Sequence, residues 1–351
     1  MFKLNARRCL VIIKYNDKDI STDLQQYLKN VSYTDNISGE ADDLQLTLED
    51  KAGLWQSAWM PEKGATLDVS VKLINWQSIG EQVVRFGLFE IDEITSSGMP
   101  SEVQIKAVSV PDNNNLRGAE RTRSWEKAEL KRIANDIATE AGLTLYYDVK
   151  EYNPVIDRAE QTEQSDLSFL YKLCADHGLA LKICDKQVVI FDEADYEAAE
   201  AVALVPKPKG SYSAGSLKVL DMLKSYSLRS KVRDVYKSCH VKYQDSSTKQ
   251  KIEATFAAPD KKIGKTLEVN EQVASIADAE RLAKKKLREK NSDEVTGSFS
   301  FLGTPELAAA VNIQLSGFGA FDGKYIITKA QHDISSGYTT SIDVRRCLDG
   351  Y

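Results

Sequence analysis

Residues 295–346, VTGSFSFLGTPELAAAVNIQLSGFGAFDGKYIITKAQHDISSGYTTSIDVRR, decide the reading of this chain. Four segments within them alternate apolar and polar side chains. Residues 297–302 alternate around Phe299 and Phe301, and residues 311–315 alternate again. Residues 324–330 carry Tyr325, Ile326 and Ile327, and residues 338–346 set Ile342 and Val344 against polar neighbours. A period of two marks half-buried antiparallel strands, because successive side chains point to opposite faces. Ser316-Gly317-Phe318-Gly319 and Asp322-Gly323 supply residues that tolerate positive φ between strands. The expectation is a meander that closes a small sheet or barrel, with nothing arranged as a catalytic site.

Working outward, the first third of the chain also reads as strands: residues 8–15, 31–34, 44–48, 66–74, 83–91 and 103–108, with a helical turn within 19–29. Such a series suggests a barrel or sandwich. Residues 111–123 are polar and form the first boundary. Residues 124–141 read as a helix capped by Ser124, with Leu130, Ile133, Ala134, Ile137 and Ala141 on one face and Gly142 just past its end. A strand at 143–148 follows, then a helix at 165–177 capped by Ser165 and stopped by Gly178. A hairpin of 179–183 and 187–191 turns at Cys184-Asp185-Lys186. Residues 192–215, with Pro206, Pro208 and Gly210, read as a connector. Residues 222–229 and 235–244 read as a long hairpin, and 249–256 as a further strand. Residues 275–290 read as a helix with Ser275 and Asp278 at its start. The expected fold is mainly β with an α+β insert. Residues 1–110 form a first β-barrel-like domain, 111–200 a small α+β domain, and 201–351 a second β-barrel-like domain with one packed helix.

The 351 residues are 42% hydrophobic and 28% charged, which suits two or three soluble domains. No apolar run approaches the roughly 18 residues of a spanning helix, and residues 1–13 do not make a signal peptide. Five scattered cysteines without a CxxC argue for free thiols rather than a zinc site or disulfide framework. The net charge of −6 is uneven: −5 over residues 1–110, −8 over 111–200 and +7 over 201–351. Unlike ends invite a polar head-to-tail contact between neighbouring copies.

No residue is nominated as catalytic, cofactor-binding or metal-ligating, and no cofactor is implied. Asp42, Asp43, Glu49 and Asp50 read as solvated turn positions. Glu90 and Asp92 would share a strand face about 7 Å apart, so a paired-carboxylate site is sterically possible, but no partner loop accompanies them. Arg117, Arg121 and Arg123 lack a basic stripe around them and read as a linker touching a neighbour. Lys284, Lys285, Lys286 and Arg288 could grip phosphate, but with Glu280 and Glu289 alongside they read as a solvated helix face. Trp55 and Trp59 read as half-buried helical-turn residues. His177 reads as a helix-end residue, and His177, His240 and His332 lie far apart in sequence. A GxSxG motif and a Gly-rich phosphate loop are both missing from the sequence.

Several blocks carry a resemblance: YTDNISGEADDLQLTLED at 33–50, PEKGATLDVSV at 61–71, GLFEIDEI at 87–94, QTEQSDLSFLYKLCADHGLALKI at 161–183, GSFSFLG at 297–303, NIQLSGFGAFDGKYIITKAQH at 312–332 and GYTTSIDVRR at 337–346. Their order and residue types resemble the phage late control gene D family, the hubs of contractile phage tails. Relatives form the hub half of type VI secretion spike proteins. The resemblance implies a structural role and no enzyme activity. Three copies would form a ring of six similar barrels, matching a sixfold tail tube on one side and a threefold spike on the other. The implied partners are two further copies in a homotrimer, a central spike protein, tail-tube or tube-initiator proteins, and baseplate wedge proteins, with no nucleic acid and no membrane insertion. Because the chain ends at Tyr351, the spike is expected to be a separate protein. The implied location is the baseplate centre of a virion or tail-like particle, assembled in the bacterial cytoplasm. A tail-associated cell-wall hydrolase and a carbohydrate- or nucleic-acid-binding β module remain as alternatives.

Overall fold

Alternating apolar residues in the first hundred positions produce the strands that the pattern demands. The computed structural model describes residues 6–110, 116–150, 152–208, 215, 217–220, 222–244, 251–273 and 275–351. In chain order the first elements are β1 (Arg8–Tyr15), β2 (Lys18–Asp19), α1 (Ser21–Gln25), β3 (Leu28–Asn36), β4 (Asp43–Glu49), β5 (Thr66–Ile74), β6 (Glu81–Ser97) and β7 (Glu102–Val108). Their order in the sheet is β3-β4-β7-β6-β5-β1-β2, antiparallel throughout. Leu44, Leu46 and Leu48 of β4 and Leu67, Val69, Val71 and Leu73 of β5 are all buried in one core. Each such side chain stabilises the fold by about 1.5–3 kcal/mol relative to exposure. Among the described residues the hydrogen-bonded order is open rather than a closed barrel. The mainly β architecture is as expected.

The next elements are β8 (Glu120–Glu129), α2 (Leu130–Glu140), β9 (Thr144–Asp148), β10 (Val155–Ser165), α3 (Asp166–Asp176), β11 (Ala180–Cys184) and β12 (Gln187–Phe191). Helices α2 and α3 bury Ile133, Ile137, Phe169 and Leu170 in a core shared with Leu181, Ile183, Val188 and Ile190. The β11–β12 hairpin turns on Asp185 and Lys186, both at positive φ (48° and 60°), which matches a two-residue primed turn. Strand β12 also pairs parallel with β9. Helix α3 starts as the sequence indicates: Ser165 Oγ accepts the Ser168 N–H at 3.3 Å. Helix α2 does not. It begins at Leu130, and residues 124–129 belong to β8. Pairing decides this, with Ser124 and Trp125 opposite Glu160 and Ala159 of β10 and the Trp125 ring stacked on Phe169 at 5.3 Å.

The remaining elements are α4 (Glu193–Ala198), β13 (Ala203–Pro206), β14 (Lys218–Val219), β15 (Leu223–Ser230), β16 (Tyr236–Gln244), β17 (Lys251–Ala257), β18 (Lys265–Val269), α5 (Ile276–Asn291), β19 (Val295–Leu302), β20 (Asn312–Ser316), β21 (Gly323–Ile334) and β22 (Tyr338–Arg346). The chain forms two compact units. The first comprises the described residues up to Asp192 with Phe301–Ala309 and Lys329–Ser341, and the second comprises Glu193–Ser300, Ala310–Thr328 and Ile342–Tyr351. In the first, the C-terminal half of β21 extends the sheet by pairing with β3. In the second, α5 lays Ala279, Ala283 and Leu287 over the sheet β17-β16-β18, against Cys239, Val241 and Ala254. Its start is as read, with Ser275 Oγ accepting the Asp278 N–H at 3.1 Å.

Three expectations for this half are corrected. Strands β15 and β16 do not form a hairpin; β15 pairs with β19, and β16 with β17 and β18. Their apolar residues serve different cores: Tyr226 of β15 meets Phe299 and Phe318, while Cys239 and Val241 of β16 lie under α5. Part of the supposed connector is core, because Ala203, Leu204 and Val205 are buried and β13 pairs parallel with β20. The last four strands are not a simple meander either. Strand β20 pairs with β21, but β19 pairs with β22 rather than β20.

One glycine in the first unit is fixed by space alone. A Cβ on Gly303 would fall 2.1 Å from the ring of buried Tyr338. The Gly303 N–H donates to the Tyr338 carbonyl at 2.8 Å, and its own carbonyl accepts the Trp76 indole N–H at 2.6 Å. Gly303→Ala is therefore expected to lose about 1–3 kcal/mol of stability through overpacking, measured as a shift in the urea midpoint.

Candidate functional site

The acidic residues that the sequence singles out are used structurally, and two of them are not solvated. Asp42 and Asp50 are only 2% and 3% exposed. Asp50 Oδ1 accepts the Trp55 N–H at 3.1 Å and holds the loop after β4, while Asp42 accepts from Asn36 N–H and from Lys182. Turn composition had pointed to water, but a turn packed under other elements buries its carboxylates and must pair them. Glu90 and Asp92 are separated by a β-bulge between Ile91 and Glu93. The bulge breaks the alternation that would place them side by side. Glu90 is buried, whereas Asp92 is exposed and faces Arg117 at 3.5 Å beside a cavity of about 240 Å³. Glu90 lines the same cavity, so the two carboxylates share it without the regular strand spacing that the sequence suggests.

The three arginines are paired within the chain, which corrects the linker reading. Arg123 contacts Asp166 and Glu140 at 2.7 Å each, Arg121 contacts Asp166 at 3.4 Å, and the Arg123 guanidinium lies 4.7 Å over the Trp125 ring. Asp166 occupies the first turn of α3, where the helix dipole adds to its stabilisation. The basic face of α5 is also partly buried. Lys286 pairs with Glu271 at 2.8 Å, and Arg288 pairs with Glu197 of α4 at 2.5 Å. Glu197, 3% exposed, also pairs with Arg345, which reaches Glu193 at 2.5 Å. The second Glu197 oxygen accepts the Leu348 N–H at 2.7 Å. The sequence reading missed this network, and its signal was the four-residue spacing of Glu193 and Glu197, which puts both on one helix face.

Each imidazole is engaged. His177 Nδ1 lies 3.1 Å from the Tyr152 hydroxyl, and His240 Nδ1 lies 2.8 Å from the Thr255 hydroxyl. His332 is buried between the Tyr338 hydroxyl and the Leu307 carbonyl, and burial pushes its pKa down to about 4. Among the described residues, no group of three or more His, Cys, Asp or Glu side chains is placed to hold a metal ion. Trp55 is buried, but Trp59 is 43% exposed. With Tyr15, Ile20, Met60 and Pro61 they line a groove of about 670 Å³. The two indoles meet edge to face at 5.5 Å and 78°, so they do not make a flat platform. What the geometry of the described residues offers is a set of buried charge networks that fix backbone segments, together with a largely apolar groove.

A family model described as phage tail baseplate hub (GPD) matches residues 92–338, about seven tenths of the chain. The chain belongs to this family. Among relatives of the hub family, the probable baseplate hub protein of Escherichia phage P2 is 30% identical over 167 residues, which is 48% of this chain and 41% of that protein. The corresponding protein of Escherichia phage 186 is 27% identical over 172 residues, 49% of this chain and 42% of its own length. The chain therefore spans well under half the length of these relatives. In fold, the hub-family chain is similar to the 43 kDa tail protein of prophage MuSo2 from Shewanella oneidensis, with TM-score 0.70, 13% identity and coverage of 97% of this chain and 99% of that one. A tail protein from Neisseria meningitidis gives 0.69 at 12% identity and 97% of both chains. An E. coli type VI secretion component gives 0.58 at 12%, over 93% of this chain and 75% of its own. Baseplate hubs are components of the virion tail, and no helix among the described residues is long and apolar enough to cross a membrane.

The Glu197 network provides a direct test of how the second unit is held. Glu197→Gln removes the charge that Arg288 and Arg345 share, leaves Arg345 only Glu193, and is expected to cost about 3–5 kcal/mol in urea unfolding. Glu193→Gln, at a side chain 29% exposed, is expected to cost clearly less.

Proposed function

We propose that this chain is the structural hub at the centre of a contractile tail or tail-like injection particle. Three copies would close into a ring that adapts a threefold spike to a sixfold tube. The membership of residues 92–338 in the baseplate hub family carries this reading. It is supported by the way the chain spends its charged residues, because the carboxylates and arginines singled out in sequence are engaged in holding elements together. The opposite net charges of residues 111–200 and 201–351 favour a heterologous contact, which generates a ring when the rotation closes. The proposed partners are two further copies, a central spike protein, tail-tube or tube-initiator proteins, and baseplate wedge proteins. The working division is 1–110 and 201–351 as the two ring-forming domains and 111–200 as the insert between them.

Light scattering on the purified chain, alone and mixed with its spike protein, tests the reading. The expected mass is about three times 39.1 kDa, roughly 117 kDa, with ring-shaped particles in micrographs. A trimer that forms only with the spike also supports the reading and assigns the spike a templating role. A monomer in both conditions overturns it.

A further inference from the structure

Asp35 of β3, Asp42 in the turn before β4 and Lys182 of β11 form one buried charge cluster within the first unit. The Asp35 and Asp42 side chains are 9% and 3% exposed, and that of Lys182 is 18% exposed. The Lys182 ammonium donates to Asp35 Oδ1, to the Asn36 carbonyl at 2.8 Å and to Asp42 Oδ1 at 3.0 Å. Both carboxylates also hold backbone. Asp35 Oδ2 accepts the Ala309 N–H at 2.8 Å, and Asp42 Oδ1 accepts the Asn36 N–H at 2.9 Å. Beside them, Ser38 Oγ bonds both the N–H and the carbonyl of Leu181, at 3.1 and 3.2 Å. Strands β3 and β11, the turn before β4 and Ala309 thus meet at one point.

The cluster is unbalanced. One ammonium faces two carboxylates, and a second buried negative charge is costly unless it takes up a proton. We propose that the cluster is a proton-operated latch: with Asp42 neutral, one ammonium balances one carboxylate and fastens β11 and Ala309 to β3, and with Asp42 ionised the unpaired charge loosens the same contacts. This inference is independent of the hub reading.

The surrounding groups are Tyr33 and Glu40 from β3 and its turn, Tyr171 from α3, Cys184 and Asp185 from the β11–β12 hairpin, and His332 from β21. Burial pushes the Asp42 carboxyl up to about 7, opposed by Lys182. Burial also pushes Cys184 up to about 11, Tyr171 to about 12 and Tyr33 higher still. Because the Asp42 pKa is raised on folding, its stabilisation is complete below its ordinary value of 3.8 and is lost as pH rises to about 7. His332 acts in the opposite sense. Its pKa is lowered, so its contribution is present above its ordinary value of 6.5 and is lost as pH falls toward about 4. The two offset each other in the wild-type chain, so the latch is read from the difference between wild type and a variant.

The test compares the full chain with Asp42→Asn by urea unfolding and amide hydrogen exchange at pH 5 and pH 8. Asparagine keeps an acceptor for Asn36 and removes the charge. From pH 5 to pH 8 the wild-type unfolding constant is expected to rise relative to that of the variant, by tenfold to about a hundredfold. Protection of the Asn36 and Ala309 amides, corrected for intrinsic rate, should fall with pH in the wild type only. Parallel pH profiles for the two proteins would overturn the latch. Should Asp42→Asn fail to fold, carboxyl titration by carbon NMR in the wild type decides, since a midpoint near 7 supports the proposal and one near 4 overturns it. Lys182→Met should move that midpoint upward, and an unmoved midpoint would count against the cluster.

Discussion

A sheet with one buried face admits a single register, and the first unit depends on that constraint. Leu44, Leu46 and Leu48 on β4 and Leu67, Val69, Val71 and Leu73 on β5 all point inward. A slip of one residue along either strand would turn the whole set to solvent. Ladder hydrogen bonds alone do not choose between registers, since each offers the same donors and acceptors; the apolar side chains choose. The register shifts at Val69/Ser70 and Ile91/Glu93 mark bulges, and around them β6 buries consecutive residues such as Phe89, Glu90 and Ile91.

Charge is buried in both units, always where several chain segments meet. Lys182 joins β3 to β11, Arg123 joins β8 to both α2 and α3, and Glu197 ties α4 to α5 and β22. Such pairs are poor sources of net stability, because desolvation offsets most of the attraction. Their effect is geometric. A buried carboxylate with only one arrangement of donors tolerates little displacement of the elements that carry them. This suits a scaffold protein of the hub family, whose proposed role asks for fixed surfaces rather than a reactive centre.

The candidate site shows why local sequence is a weak guide to such groups. Asp42 and Asp50 stand in turn-like composition, and turns usually face water. Contacts with Asn36 of β3, Ser109 and Lys182 of β11 surround Asp42 and bury it. Glu90 and Asp92 look paired on a regular strand, and the extra residue at the bulge separates them. The arginines at 121 and 123 found their acids at Glu140 and Asp166, seventeen to forty-five residues away, distances no local pattern encodes.

The sequence by itself determined the local elements whose signals are local. The apolar alternation of β4 and β5, the Ser165 and Ser275 caps and the Asp185-Lys186 turn were all legible, because each depends on side chains within a few residues of one another. Tertiary structure decided which strands pair and which charges are buried. It moved the start of α2 from Ser124 to Leu130, separated β15 from β16, drew β13 into the core and set β19 against β22. The physical reason is that strand pairing and ion pairing are contacts between distant residues. Their partners are chosen by how much apolar surface the whole arrangement buries, and that quantity is not written in any single stretch of the chain.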